Sequence, residues 1–292
     1  MFNPIMVTIS NKFLTAVISP TGAELQQLLH VNGIDYLWNA DPKHWAKHSP
    51  VLFPIVGSLV NNSYSYTGAV YHLPRHGFAR DNVFEVLSKE SDKVVFALTS
   101  NEQTKAVYPF DFELRLLYAL KESSLHCTYF VVNHGVEEML FSVGGHPAFA
   151  LPLEDGLKYE DYHLAFEHDE PLMRYKLQDG LISERTELLP STGGRLVLHP
   201  SLFYEDAIVM KHLKSERVTL KADQGKHGLH FHYCAFPYLG IWAAKDAPFV
   251  CIEPWCGHAD NVGHDQQLYN KEGIEKLAPG SSWQRTWSVD CF

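Results

Sequence analysis

Three short stretches hold side chains able to move a proton or grip a polar ligand. In FSVGGHPAFALP (141–152), His146 follows two glycines and precedes a proline. The residue before a proline is pushed into extended geometry, so His146 is expected where a strand ends, and Gly144 and Gly145 leave room for something to approach the backbone. In FVCIEPWCGHAD (249–260) an apolar strand is expected to end in one carboxylate, Glu253, followed by Pro254 and Trp255. Burial disfavours an ionised carboxyl and raises its pKa toward neutrality, as a general base working near pH 7 requires. Trp255 offers an apolar ring face of the kind on which sugars stack. In LPRHGFARD (73–81), Arg75, His76 and Arg80 gather around a glycine that permits a sharp turn. Each stretch also has a purely structural reading: a histidine satisfied by a neighbouring carbonyl, a buried glutamate paired with a cation beside a core tryptophan, and a solvated basic turn.

A histidine acid and a carboxylate base suit the opening of a hemiacetal ring. The base takes the proton of the anomeric hydroxyl, the acid protonates the ring oxygen, and the open aldehyde rotates about one bond before reclosing on its other face. No nucleophile, metal or nucleotide is needed. The chain has no G-x-S-x-G elbow, P-loop or G-x-G-x-x-G fingerprint. His230, His232 and Cys234 alternate along KHGLHFHYC, but same-face neighbours on a strand stand ~6–7 Å apart, a poor start for converging on one ion. His44 and His48 have helical spacing and no third ligand nearby. Neither a metal nor a cofactor is therefore expected.

The elements that must position these groups read mostly as strands. FELRLLY (112–118), LHCTYFVVN (125–133), RLVLH (195–199) and RVTLK (217–221) are short, rich in β-branched or aromatic residues, and separated by turn clusters such as KESS, PSTGG and LAPGSS. Such spacing predicts an all-β fold, a large antiparallel sandwich or barrel. Helical patterns are confined to 101–108, before Pro109, and to 266–277, interrupted by Gly273. With 292 residues, 46% hydrophobic, the chain can bury a large core, and no linker or repeat divides it, so one domain over 1–292 is expected. The net charge of -10 argues against nucleic acid or an anionic membrane surface as partner and leaves room for a small neutral ligand. No apolar run approaches the ~20 residues of a membrane span, and no secretory signal is evident at MFNPIMVTISNKF. Five scattered cysteines without a C-x-x-C pair fit free thiols in a reducing cytoplasm.

Taken in order, WAKHSPVLFPIVG (45–57), HGFARD (76–81), GGHPAF (144–149), LFYEDAIV (202–209), EPWCGHAD (253–260) and LAPGSSW (277–283) resemble the aldose 1-epimerase, or galactose mutarotase-like, family over nearly the whole chain. The resemblance is nearest to a branch of uncharacterised bacterial mutarotase-like proteins related to the hexose-6-phosphate epimerases. It implies a single large antiparallel β-sandwich with the sugar in a cleft, His146 as acid at the ring oxygen and Glu253 as base at the anomeric hydroxyl. It further implies that His76, Arg80 and Asp206 hold the sugar. Many relatives carry an arginine after the FPIVG segment, where this chain has Ser58. Arginine forks suit phosphate, so the expected substrate is a free hexose, with a hexose 6-phosphate clamped by Arg75 and Arg80, or a sugar-binding module without turnover, as alternatives. The expected state is a monomer or homodimer.

Overall fold

The computed structural model describes residues 5–292, and two large antiparallel sheets dominate it. Phe112–Lys121 and Ser124–Asn133 form a long hairpin that continues into Lys93–Thr99 and Glu85–Lys89 on one side. On the other side the same sheet runs through Ser282–Cys291, Gly228–His232, Arg217–Ala222, Tyr162–Phe166 and Arg195–Val197. Burial in Ser282–Cys291 and Ser124–Asn133 largely alternates, because successive side chains of a strand point to opposite faces and only one face meets the core. The second sheet runs Leu181–Leu188, Met173–Gln178, Ile208–Lys211, Tyr238–Trp242, Phe249–Cys256, Val143–Gly145 and Val51–Leu52, with Ala148–Ala150 also paired to Phe249–Cys256.

The sheets meet through large side chains. Phe149 of the second packs edge-on against Phe231 of the first, with ring centroids 5.9 Å apart. Tyr129 accepts a hydrogen bond from Trp287 Nε1 at 2.9 Å and lies against Gly145. Truncating such a fully buried aromatic to alanine costs about 3–5 kcal/mol, so this seam is where the sandwich is held. Phe249–Cys256 breaks the alternation, since all eight of its residues are buried. One of its faces lies on the core, and the other is covered as well.

Two expectations change. The pattern over 266–277 does not make a helix: it resolves into a 3-10 turn, Leu268–Asn270, and a short strand, Glu275–Leu277, paired with Met139–Phe141. Gly273 between them has φ +73°, a left-handed conformation that stops helix propagation, and it lies against the Tyr238 ring where a Cβ would collide. Nor does the strand that carries Glu253 end there; it continues to Cys256. The pattern over 101–108 does form a helix, Glu102–Val107, where Asn101 Oδ1 accepts from Thr104 N–H and Thr104 Oγ1 accepts from Asn101 N–H. All five cysteines are free thiols, Cys234 alone among them exposed. No helix of the described residues is long and apolar enough to cross a membrane.

Candidate active site

Pro254 has no N–H to give to a ladder, so a strand through it needs a gap in its partner. The partner supplies one. Val143–Gly145 pairs with the far end of Phe249–Cys256, Ala148–Ala150 pairs with the near end, and His146–Pro147 fill the interval. The register is the same on both sides of the gap: Gly144 faces Trp255 and Ala148 faces Cys251. Continued across the gap, that register sets His146 opposite Glu253, and directly opposed residues share a face at close range. The side chains meet accordingly, His146 Nε2 lying 3.2 Å from Glu253 Oε2.

The two glycines before His146 do not open the backbone to a ligand. A Cβ on Gly144 would strike the Trp255 indole at 2.6 Å, and one on Gly145 would strike the Tyr129 hydroxyl at 2.8 Å. Gly240, on the strand flanking Glu253, clears the other edge of the same indole, where a Cβ would come within 2.4 Å. Trp255 is thus seated between two glycines on neighbouring strands.

His146, Glu253, His76, Arg80 and Asp206 all line one cavity of about 300 Å³, the size of a site for a small molecule. Trp45, Trp242, Trp255 and Arg75 share its walls. Trp45 stacks on the His146 ring at 4.9 Å, and Trp242 meets that ring edge-on at 5.5 Å. His76 sits in a turn at φ +70° and its Nδ1 accepts from Gly57 N–H at 3.1 Å. That bond leaves the ring proton on Nε2, the nitrogen 3.2 Å from Arg75 Nε. Arg75 Nε is directed at that nitrogen as a donor, so a neutral ring can accept from only one of Gly57 and Arg75 at a time. Arg80 donates to the Arg75 carbonyl at 2.8 Å, and Arg75 Nη2 stands 3.8 Å from Asp206 Oδ1. His146 Nδ1, Glu253 Oε2, Trp255 Nε1 and Arg80 Nε are buried and find no hydrogen-bond partner among the described residues.

Burial dominates the electrostatics here. It pushes the His146 imidazole down to about 3, helped by the Arg75 and Arg80 charges. It holds the Glu253 carboxyl well above the usual carboxylate range, although Arg75 pulls the other way. His76 is likewise kept neutral by burial. Burial thus favours an uncharged imidazole and a protonated Glu253 carboxyl, 3.2 Å apart with no hydrogen bond between them, and moving the carboxyl proton to His146 would give carboxylate and imidazolium.

Donor atoms of His146, Cys251 and Glu253 lie within 4.8 Å of one another. Tetrahedral zinc needs donors roughly 3.3–3.7 Å apart at its bond lengths of about 2.0–2.3 Å. Burial also keeps the Cys251 thiol protonated. The set suits a resident metal poorly. The His230–His232–Cys234 stretch is committed elsewhere: His230 Nδ1 lies 2.8 Å from Thr219 Oγ1, and His232 Nε2 is 2.9 Å from Asp290. Trp45 and Trp242 are the wall residues that sequence reasoning passed over. Trp45 stands in the quoted WAKHSP segment, and an indole beside two histidines was the available signal.

Comparison with known proteins gives a consistent result. Residues 6–286 match the Aldose 1-epimerase family. Protein LacX, chromosomal, of Lactococcus lactis subsp. lactis is 33% identical over 97% of this chain and 98% of its own length. A galactose mutarotase related enzyme from Lactobacillus acidophilus superposes with a TM-score of 0.95 at 37% identity, covering 99% of this chain and 97% of that one. A galactose mutarotase-like protein from Lactobacillus casei gives 0.93 at 31% identity over 99% and 100% of the two chains. Matched in this way from end to end, on the same sandwich and with its cavity lined as described, the chain belongs to the aldose 1-epimerase family.

Proposed function

We propose that this chain, as one domain, interconverts the α and β anomers of a free hexose by acid–base opening and reclosure of the ring. The observation that carries the reading is the buried His146–Glu253 pair, 3.2 Å apart at the floor of a cavity with unpartnered polar atoms in its walls. The anomeric and ring oxygens of a hemiacetal are bonded to one carbon, so adjacent acid and base can address both. Glu253 as carboxylate takes the proton of the C1 hydroxyl. The C1–O5 bond then breaks, its electrons pass to O5, and O5 takes the proton of the His146 imidazolium. The aldehyde rotates about C1–C2 and recloses by the reverse steps, which returns both residues to their starting state. Before sugar enters, burial keeps the pair neutral; sugar hydroxyls donating to Glu253 favour its carboxylate form and so the transfer of its proton to His146.

His76, Arg80 and Asp206 are assigned to the sugar hydroxyls, and the Trp255 and Trp45 rings to its apolar face. A free sugar is preferred to a phosphorylated one because the Asp206 carboxylate stands beside Arg75 and would repel a phosphate brought to that guanidinium. The galactose mutarotase descriptions of the similar structures agree with a hexose. A hexose 6-phosphate is the second reading, favoured by the two guanidiniums of Arg75 and Arg80 on the cavity wall. The test is a polarimetric screen of pure anomers, followed by competition of galactose or glucose with its 6-phosphate in one assay. Turnover of the free sugar at least as efficient as that of the phosphate is expected. A strong preference for the phosphate overturns the substrate assignment, and sugar binding without exchange above buffer catalysis favours a binding module.

A further inference from the structure

Arg174 lies on Met173–Gln178, is only 6% exposed, and makes no ion pair among the described residues. A buried guanidinium is costly unless its donors are used, and an apolar side chain would fill the same space more cheaply. Both of its terminal nitrogens donate to backbone, while Nε finds no partner among the described residues. Nη2 donates to the Asp206 carbonyl at 2.9 Å and Nη1 to the Leu202 carbonyl at 3.3 Å, so it ties the 3-10 turn Pro200–Phe203 to the end of the loop that follows it.

Asp206 has φ +106°, far from where a non-glycine residue rests, and such a conformation persists only where its surroundings fix it. Two bonds do so: Arg174 holds the carbonyl from outside, and Ala207 N–H donates to Asp206 Oδ1 at 2.7 Å. The unusual φ presents the carboxylate at the cavity wall, whereas Arg174 is not among the wall residues. It lines a second cavity, with Lys176, Arg185 and Glu205, and Leu177 alone lines both.

We infer that Arg174 is a positioning residue that sets the aim of Asp206, and through it sugar affinity, without touching the sugar. The inference rests on the proposed reading of the cavity as a hexose site. Replacing Arg174 with Met removes both carbonyl bonds at similar volume. Expected is a rise in KM of about 10–100-fold, the worth of a charge-assisted hydrogen bond to the sugar, with kcat nearly unchanged. Arg174→Lys, which can still reach one carbonyl, should fall between. Asp206→Asn should abolish the difference: adding Arg174→Met to it raises KM no further. Amide exchange over residues 204–208 should quicken in Arg174→Met, because the Ala207 bond is no longer braced.

A folded Arg174→Met protein with wild-type KM, or an effect fully additive with Asp206→Asn, overturns the inference. Should Arg174→Met not fold, the Arg174→Lys KM decides in the same way. Were the wild type to neither bind nor turn over any hexose, the sugar reading would fall, and amide exchange would judge the loop claim by itself. Faster exchange confined to 204–208 upholds it, and unchanged exchange there refutes it.

Discussion

Two buried polar clusters stand close together in this protein and are built in opposite ways. One is Asp260 with Lys271, paired at 2.7 Å with each side chain 1% exposed. Its second carboxylate oxygen accepts from Val60 N–H at 2.9 Å. Next to it Glu272 accepts from Lys211 at 2.7 Å and from Asn261 at 2.9 Å. The other cluster is His146 with Glu253, equally buried, closely approached, and left with Nδ1 and Oε2 unpartnered. The first, in which each oxygen of Asp260 and Glu272 accepts a hydrogen bond, locks loops together. One that leaves atoms unanswered bears a standing cost, which binding a polar ligand can relieve. The difference separates polar groups retained for structure from those available for chemistry.

The largest expected effect on stability sharpens that contrast. Lys271→Met leaves Asp260 buried and unpaired, and should cost about 3–5 kcal/mol in urea titration. Adding Asp260→Asn, which keeps an acceptor for Val60 N–H, should recover most of it. A loss below about 1 kcal/mol for the single change would mean that the first cluster is no brace. Gly240→Ala comes next. Its Cβ would meet the Trp255 ring at 2.4 Å, so the indole must shift. Overpacking of this kind costs about 1–3 kcal/mol and should weaken sugar binding together with stability. An alanine variant with wild-type affinity would remove Trp255 from the account.

The two clusters also part company with pH. Burial depresses the His146 pKa to about 3 and raises that of Glu253, so folded and unfolded chains each hold about one proton on this pair between 4.5 and 6.5, and it costs stability only as pH falls below about 4.5. Glu272, held low by the facing His258 imidazole and by bonds from Lys211 and Asn261, adds stability that is present above its unfolded pKa and lost in acid. The His146–Glu253 pair meanwhile keeps its single proton down to about 3. From pH 6.5 to 4, anomer exchange per folded molecule should therefore hold level, while the melting temperature declines only at the acid end, below about 4.5. A rate that halves near pH 4.5 would show an ordinary exposed carboxylate at work. The smallest effect is expected at Cys251→Ser assayed with chelator, where little change in exchange should follow. A large loss restored by zinc would make the His146–Cys251–Glu253 set a metal site.

How far these features could be read from the chain differs by feature. Alternating strands such as 125–133 announce themselves because one face is solvated and the period-two pattern survives. Phe249–Cys256 is buried throughout and has no such pattern, so its continuation past Glu253 was hidden, and Pro254 looked like a stop. Nothing local reveals that Pro254 falls at the break in pairing across 145–147, since the two segments are more than 100 residues apart. His146, Glu253, His76 and Arg80 were legible as polar types in apolar or glycine-rich settings. Asp206 was legible only through family resemblance, because its setting is a φ of +106° that sequence does not display. Arg174 sits in a strand whose exposure looks mixed, and its bonds are to backbone, which leaves no trace in residue types.

The central claim is that His146 and Glu253 move protons and do not merely hold a sugar. Magnetisation exchange between the anomers of a saturating hexose, measured on wild type, His146→Asn and Glu253→Gln with affinities determined alongside, tests it most directly. Each replacement keeps approximate size and hydrogen-bonding capacity, so exchange should fall by about 10²–10⁴-fold while affinity changes far less. Exchange at saturation equal to wild type, with only affinity reduced, would contradict the claim and leave the pair as ligands of the sugar.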